Sequence, residues 1–257
     1  LKIYDVPVLY FPKFFHPDPT VNRRSGFLKP QINNSNTLGS SFSIPYYSVL
    51  DENKDFTFTP SIFENNLQMF QTEYRQINKN SKFLSNFGFV NNYKSDLDTK
   101  KNSIFNLFLE YELDLKLDKF NSSNFFLSVE KVTNDTFLKI FETHFQDNKL
   151  KPADSNNLKS EIKFLLDDAN SSFNTGIVSY ENLQKNNNDR YEFILPYYNL
   201  SGELNNGKEY GYLSFSSYGS NVLKNTNNLR SKIINDFDFR SFDFISESGL
   251  QNNVNIY

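Results

Sequence analysis

Residues 104–118, IFNLFLEYELDLKLD, alternate between apolar and polar side chains over most of their length. The apolar residues of this run share one face: Phe105, Leu107, Leu109, Tyr111, Leu113, Leu115 and Leu117. The polar residues share the other: Asn106, Glu110, Glu112, Asp114, Lys116 and Asp118. From 105 to 118, only Phe108 departs from this alternation. An α-helix would scatter the acidic residues around its circumference, whereas a strand keeps them on one side. The run therefore predicts a long β-strand with one apolar face.

Similar runs recur along the chain and indicate further strands. They lie at 38–50, 55–64, 67–77, 82–92, 124–132, 158–168, 172–183, 190–204, 209–219 and 229–241, with a partial strand before 257. Short, asparagine-rich connectors between the early runs are typical of antiparallel hairpins. A helical turn is expected only at 134–141. The pattern predicts an all-β fold, an antiparallel meander of about twelve strands.

The length of these runs favours a membrane barrel over an ordinary sheet. Several span 11 to 15 residues, against roughly 5 or 6 in globular sheets. The inferred loops alternate between short and long, and aromatic residues gather near strand ends at 45–48 and 196–199. Both features are typical of a transmembrane β-barrel. A soluble β-sandwich with its apolar face inward gives the same alternation, so the pattern leaves both folds open.

The composition of the chain argues against several classes of function. Acidic and basic residues, 30 and 27, nearly cancel, so nucleic-acid binding has no electrostatic support. The absence of cysteine excludes disulfides and thiolate metal sites within this chain. No apolar run approaches the roughly 18 to 20 residues of a membrane-spanning helix. The first residues lack the features of a signal peptide, and the last lie in an alternating run. We therefore expect a piece of a longer protein.

Catalytic chemistry is weakly supported. The two histidines, His16 and His144, have neither metal nor triad spacing. Acidic pairs such as Glu110 with Glu112 share a strand face and resemble the carboxylate pair of a glycosidase, but a solvated strand side explains them more simply. There is no nucleophile elbow and no phosphate-binding glycine loop. The sequence predicts no enzyme, no catalytic residue, no metal site and no cofactor.

Three prolines fall in or beside the first three predicted strands: Pro30, Pro45 and Pro60. Proline has no N–H to donate to a sheet, so it marks strand starts, edges or bulges. The alternative is a sheet whose first strands are deliberately under-bonded. Each missing backbone hydrogen bond is worth about 0.5–1.5 kcal/mol in water. A few such gaps would make this the weakest line of a closed barrel.

Three segments carry a resemblance to a known family. They are VPVLYFPKFFHPDPTVNRRSGFLKPQ (6–31), GSSFSIPYYSVLDENKDFTFTPSIF (39–63) and QTEYR (71–75). In order, they contain P-x-x-Y-x-P, R-R-S-G-F-L-x-P, PYY, D-x-T-x-T-P and E-x-R. This series resembles the start of the barrel domain of the LptD (OstA) family of lipopolysaccharide-assembly proteins. Residues 132–141 resemble a further short segment of that family, and the chain beyond about 145 is assigned by continuity.

The resemblance implies a fold and a function. Residues 1–25 would be the end of a periplasmic jelly-roll domain and a hinge. Residues 26–257 would be the first half of a large transmembrane β-barrel of about 26 strands in the outer membrane of a Gram-negative bacterium. The protein would be a lipopolysaccharide translocon component, with lipid leaving sideways through a seam between the first and last strands and sugar passing through the lumen. The closing strand lies outside this chain.

The resemblance also assigns roles to residues. Pro30 and Pro45 match the two prolines that weaken the lateral gate. The hinge and entrance residues are Pro12, Pro17, Pro19, Arg23, Arg24, Ser25 and Gly26. We hypothesise that Arg23 and Arg24 meet phosphates near the lumen entrance, with structural anchoring of the turn as the alternative.

The partners implied by the resemblance are lipids and assembly proteins, and no nucleic acid. They are lipopolysaccharide, an LptE-type plug lipoprotein, an LptA-type periplasmic bridge protein, the barrel-assembly machinery and outer-membrane lipids. Two alternatives stay open: another outer-membrane β-barrel channel, or a soluble β-sandwich binding module. Whether the apolar strand faces point outward or inward would separate the barrel from the sandwich.

Overall fold

The computed structural model describes residues 2–3, 6–7, 23–95, 98–146, 148–204, 210–225 and 227–256. Within these residues the chain is almost entirely β-structure, which confirms the predicted all-β antiparallel meander. Most of 1–25 lies outside the described residues, including Pro12, His16, Pro17 and Pro19. The boundary between a jelly-roll end and a barrel therefore stays a prediction.

The strands are numbered in chain order. They are β1 (Lys2–Ile3), β2 (Val6–Pro7), β3 (Gly26–Phe27), β4 (Gln31–Ser35), β5 (Gly39–Ser43), β6 (Tyr46–Asp51), β7 (Lys54–Phe63), β8 (Gln68–Ile77), β9 (Ser81–Ser95), β10 (Asp98–Asp114), β11 (Ser122–Val132), β12 (Asn157–Asp167), β13 (Ser171–Asn182), β14 (Tyr191–Glu203), β15 (Gly211–Lys224), β16 (Asn228–Ser241), β17 (Phe244–Ile245), β18 (Gln251–Asn252) and β19 (Asn255–Ile256).

One large antiparallel sheet contains 15 of these segments. From β7 to β16 each strand pairs with the next one in sequence, and β19 pairs with β16 at the far edge. The short pairs β1–β2 and β17–β18 stand apart from it. The sheet has more segments than the predicted twelve strands mainly because the first two strands are each split. β3 and β4 form the first strand, and β5 and β6 form the second.

The one short α-helix of the described residues lies where the helical turn was predicted. α1 (Phe137–Ile140) is followed by a 3₁₀ turn at Glu142–His144. The Asn134 Oδ1 accepts a hydrogen bond from the Thr136 backbone N–H at 2.9 Å, which starts the turn. A second 3₁₀ turn spans Asn187–Arg190. No helix among the described residues is long and apolar enough to cross a membrane.

Residues 133–146 and 148–156, here called the covering segment, pack on one face of the sheet. We call this side the covered face and the opposite side the apolar face. The main core lies between the covering segment and the strand ends beside it. Its fully buried members include Met69, Val90, Phe108, Phe137, Phe141 and Phe145.

Phe108, the exception in the alternating run, has a structural explanation in this core. Its side chain is fully buried on the covered face, and its ring centroid lies 5.8 Å from that of Phe145. Its neighbours on the same side of β10, Asn106 and Glu110, are polar. The two apolar residues on this side of β10, Ile104 and Phe108, are both buried in this core and mark the place where the covering segment packs.

Candidate functional site

The first two strands pair with each other on both sides of an interruption. Below it, Gly26 and Phe27 pair with Tyr47 and Tyr46. Above it, Gln31 pairs with Ser43 and the ladder continues to Ser35 and Gly39. The first strand has one more residue than the second between these two ladders, which makes a bulge at residues 29–30. We call β3–β6 with β4–β5 the interrupted strand pair.

Proline removes hydrogen bonds at this interruption. The Leu28 backbone N–H donates to the Pro45 carbonyl at 2.8 Å. The return bond of such an antiparallel pair needs an N–H on Pro45, which proline lacks. Pro45 is buried on the covered face, whereas Pro30 is exposed beside the bulge. Both lie just before strand segments, so the two predicted gate residues meet at one level of the sheet.

Pro60 continues the same line into the third strand. The Ile44 backbone N–H donates to the Pro60 carbonyl at 3.3 Å. Again the return bond is missing, because Pro60 has no N–H. The pairing of the second strand with β7 has no bulge at this point. Ser43 pairs with Ser61 and Tyr46 with Phe58, so the register is the same on both sides of Pro60.

The predicted hinge residues Arg23, Ser25 and Gly26 contact the base of the second and third strands. Arg23 donates from Nε to the Tyr47 hydroxyl and from Nη1 to the Glu52 carbonyl, both at 3.0 Å. The Ser25 hydroxyl accepts a hydrogen bond from the Val49 N–H at 2.9 Å. Gly26 begins β3, and Arg24 is exposed. These contacts fix the start of the first strand, while the role of the hinge residues in transport stays a prediction.

A polar cluster that was not predicted from the sequence joins these elements. The Asp55 carboxylate is almost fully buried and forms ion pairs with both Arg23 and Arg75, the latter at 2.6 Å between Nε and Oδ1. Arg75 also donates to Glu73 Oε2 at 3.0 Å and to Thr57 Oγ1 at 2.7 Å. The register places Asp55 opposite Arg75 and Thr57 opposite Glu73.

The residues of this cluster belong to the sequence motifs described above. Arg23 belongs to R-R-S-G-F-L-x-P, Asp55 to D-x-T-x-T-P and Arg75 to E-x-R. In each of the last two motifs the polar residues are two apart, so they share a strand face. Three separate motifs therefore converge on one charged cluster at the covered face. The pairing could be found only from the strand register.

His144 lies in the apolar core of the covering segment. Its Nε2 is 3.2 Å from the Ser41 hydroxyl, and its ring lies 5.0 Å from that of Phe63. Burial lowers the pKa of His144 to about 4, so the ring is neutral at pH 7. Among the described residues, no group of acidic, histidine or cysteine side chains is arranged to hold a metal ion.

Ion pairs hold the covering segment to the neighbouring strand. Arg190 Nη2 bridges Asp135 Oδ1 at 2.6 Å and Glu181 Oε1 at 2.7 Å. Lys131 Nζ contacts the other oxygen of Glu181 at 2.7 Å. Since Glu181 is almost fully buried, its charge is compensated from both sides. The segment is thus anchored by charge at its start and by apolar packing at its centre.

The apolar face of the sheet is exposed. Large side chains on it remain open to the surroundings, including Ile62 at 62%, Phe87 at 45% and Ile177 at 44%. The covered face instead carries buried polar side chains such as Ser43, Ser61, Gln71, Asn86 and Asn106. A water-soluble sandwich would hide the apolar side between two sheets, so this arrangement is the reverse of the sandwich alternative.

Aromatic rings form a continuous row across the apolar face. Neighbouring ring centroids are 4.9 to 6.3 Å apart from β8 to β12. We call this row the aromatic band; its members are Tyr74, Phe83, Tyr111, Phe125 and Phe164. All five rings lie near the same end of the strands, where β8, β10 and β12 end and β9 and β11 begin. Such a girdle is typical of a strand wall that crosses a membrane interface.

Known proteins match this chain over part of its length. The LPS-assembly protein LptD of Idiomarina loihiensis is 26% identical over 144 residues, which is 56% of this chain and 18% of that protein. LptD of Hahella chejuensis is 52% identical over 61 residues, 23% of this chain and 8% of that protein. LptD of Pseudoalteromonas translucida is 35% identical over 98 residues, 38% of this chain and 13% of that protein.

The chain is similar to part of LptD. The matched part of the chain spans less than a fifth of the length of these LptD proteins. No protein-family model matches. The resemblance inferred from the motifs is confirmed by these curated LptD proteins, and the all-β meander agrees with a fragment of the LptD barrel region.

Proposed function

We propose that this chain is a wall segment of an outer-membrane protein that assembles lipopolysaccharide at the surface of a Gram-negative bacterium. The observation that carries the proposal is the match to several proteins named LPS-assembly protein LptD. The exposed apolar face and the aromatic band support it, because both fit a wall in contact with lipid. The polar covered face fits a water-filled lumen.

The proposed mechanism is lateral opening rather than catalysis. The interrupted strand pair would hold the first strand loosely beside its seam with the last strand, because the pair lacks a ladder bond at Pro45 and is displaced by the bulge beside Pro30. In lipid no water replaces a broken backbone bond, so the contrast with complete ladders is larger there than in water. Lipid would leave through the opened seam, while sugar stays on the polar side.

The proposed partners follow from the same function. Lipopolysaccharide is the cargo and outer-membrane lipids surround the wall. An LptE-type plug lipoprotein, an LptA-type periplasmic bridge protein and the barrel-assembly machinery complete the proposed set. Energy for transport would come from outside this chain, so we propose no enzymatic role for it.

Depletion of the whole gene in its own bacterium tests the function. Lipopolysaccharide labelled during synthesis should stop appearing in the outer leaflet, and the full-length gene should restore it. Unchanged delivery after depletion would remove lipopolysaccharide assembly as the function. Ion conductance of the purified protein in planar bilayers, together with unchanged delivery, would favour the passive channel instead.

Restoring the missing bonds tests the gate. Pro30→Ala with Pro45→Ala in the full-length protein should slow delivery, while the barrel keeps its heat-dependent mobility shift in gels. The double variant Pro152→Ala with Pro196→Ala, outside the interrupted strand pair, is the matched control. Wild-type delivery in the Pro30 and Pro45 double variant would refute the gate and leave the broader function in place.

A further inference from the structure

A cavity of about 700 Å³ lies on the covered face, between the polar cluster of Asp55 and the end of the covering segment. Strand residues Asp55, Arg75, Lys82 and Asn86 line it on one side, and Asn148 and Leu150 close it on the other. Its volume falls within the range of about 300–1,000 Å³ found for small-molecule sites. The cavity is therefore large enough for a small ligand.

Two side-chain amide nitrogens in the lining, Asn86 Nδ2 and Asn148 Nδ2, have no protein partner. Asn86 is 1% exposed, and its Oδ1 accepts a hydrogen bond from Asn106 Nδ2 at 2.9 Å, but its Nδ2 is unpaired. The Asn148 Nδ2 is likewise buried and unpaired, although its Oδ1 accepts from the Leu150 N–H. A buried donor without an acceptor costs about 1–3 kcal/mol. Both groups therefore favour a ligand that brings hydrogen-bonding atoms into the cavity.

The surrounding structure holds Asn86 in this position. Asn106 reaches it from β10 across Gly88, where any side chain would collide with the Asn106 amide. Asn86 also lies directly opposite Glu73 on β8 and Phe108 on β10. The side chain is therefore fixed between a charged cluster and the apolar core and cannot turn to solvent.

The charges around the cavity argue against a simple anion site. Arg23 and Arg75 are both paired with Asp55, and Arg75 also with Glu73. Lys82 lies 3.9 Å from Glu112. The remaining lining charges, Lys149 and Glu52, are opposite in sign. A ligand that binds here must gain from hydrogen bonds more than from net charge.

We propose that this cavity binds a neutral saccharide unit through its hydroxyl groups. A hydroxyl both donates and accepts, so it can pair with Asn86 and Asn148 in either orientation of their amides. Leu84 and Leu150 supply apolar surface for the C–H side of a sugar ring. The inference rests on the proposed function, in which sugar passes along the covered face. It adds a binding site for that sugar at Asn86 and Asn148.

Binding of methyl glycosides to the full-length protein in detergent tests this proposal. We would measure saturation-transfer NMR with the methyl glycosides of a hexose, a heptose and an N-acetylhexosamine. At least one should show saturable transfer, weakened about tenfold by Asn86→Leu, as expected for loss of one buried hydrogen bond. Asn174→Leu, a matched change on β13 outside the cavity, should leave binding unchanged.

Lys149→Gln distinguishes a site for a neutral saccharide from an anion site without altering a buried residue. This exposed substitution removes a charge from the rim, and binding of the neutral glycosides should survive it. Loss of binding in Lys149→Gln, or displacement of the glycoside by millimolar inorganic phosphate, would identify an anion site and overturn the proposal. Absence of transfer from all three glycosides, or equal transfer in Asn86→Leu and wild type, would also overturn it.

The outcome is independent of the function test. If depletion stops lipopolysaccharide delivery but no glycoside binds, the cavity proposal fails and the function stands. If glycosides bind through Asn86 but delivery survives depletion, the function fails and the site remains.

Discussion

Between Gly26 and Asp51 the first two strands are each broken in two, whereas β9 to β13 run unbroken for 11 to 17 residues. β10 pairs with β11 at nine consecutive positions, but β3 pairs with β6 at only two. Since each ladder bond adds about 0.5–1.5 kcal/mol, separating the middle strands costs far more. The comparison shows that one sheet contains both long continuous ladders and a short interrupted one.

The base of the weak line is nevertheless firmly held. Arg23, Asp55 and Arg75 link the residues before β3 to the third and fourth strands. A sheet arranged in this way would separate above the interruption while its base stays attached. The charged cluster and the missing bonds therefore have complementary effects on the same pair of strands.

The largest expected effect comes from moving a proline into the durable region. Leu109 pairs with Ser85 and Val129 in the centre of the sheet. Leu109→Pro removes a ladder bond there, so the full-length protein should not accumulate in the outer membrane. Lys29→Pro, inside the existing interruption, should accumulate as wild type. Normal amounts of Leu109→Pro would show that the two regions do not differ in their tolerance of missing bonds.

A smaller effect is expected at the core beneath the covering segment. Phe108→Ala removes a fully buried ring and should destabilise the packed segment by about 3–5 kcal/mol. Limited proteolysis should then cut within 133–156 while the strands stay intact. Phe105→Ala, a neighbour that is 40% exposed on the apolar face, serves as the control. Equal protection of the segment in both variants would contradict the assigned packing.

Acid should loosen the same segment. Burial lowers the pKa of His144 from 6.5 to about 4, so protonation favours the detached state. The neutral His144 ring stabilises the packed segment fully above about pH 6.5, and this contribution is lost as pH falls towards 4. Hydrogen exchange at 137–145, corrected for its intrinsic pH dependence, should be faster at pH 5 than at pH 7.5. His144→Gln should remove this difference; if the difference persists, another group is responsible.

The smallest effect is expected at Pro60. Pro60→Ala restores an N–H facing Ile44, which can stabilise the second and third strands by about 0.5–1.5 kcal/mol. Loss of proline rigidity in the unfolded chain offsets this by about 0.4–1 kcal/mol. The denaturation midpoint of the full-length protein should therefore hardly move. A large rise would mean that the weak line extends into the third strand more strongly than its single missing bond indicates.

Local alternation predicted the strands well, because a half-buried strand repeats every two residues whatever its partners. It did not predict the division of the second strand, since Phe42, Ile44 and Tyr46 stay in phase across Pro45. It also missed the partnership of Asp55 with Arg75, which depends on register between separate strands. Phe108 was visible as an exception, but only the covering segment explains it. The cavity beside Asn86 requires contacts between residues more than 60 positions apart.

The extra residue at the bulge has a consequence for side-chain direction. Phe27 pairs with Tyr46 and Ile32 with Phe42, so both are directed to the apolar face although they are five residues apart. An unbroken strand would send one of them to the opposite side. The bulge at Lys29 and Pro30 therefore lets two residues at an odd spacing share one face of the sheet. Deleting Lys29 would leave Phe27 and Ile32 four residues apart, so a continuous strand would keep both on the apolar face and the bulge would be lost.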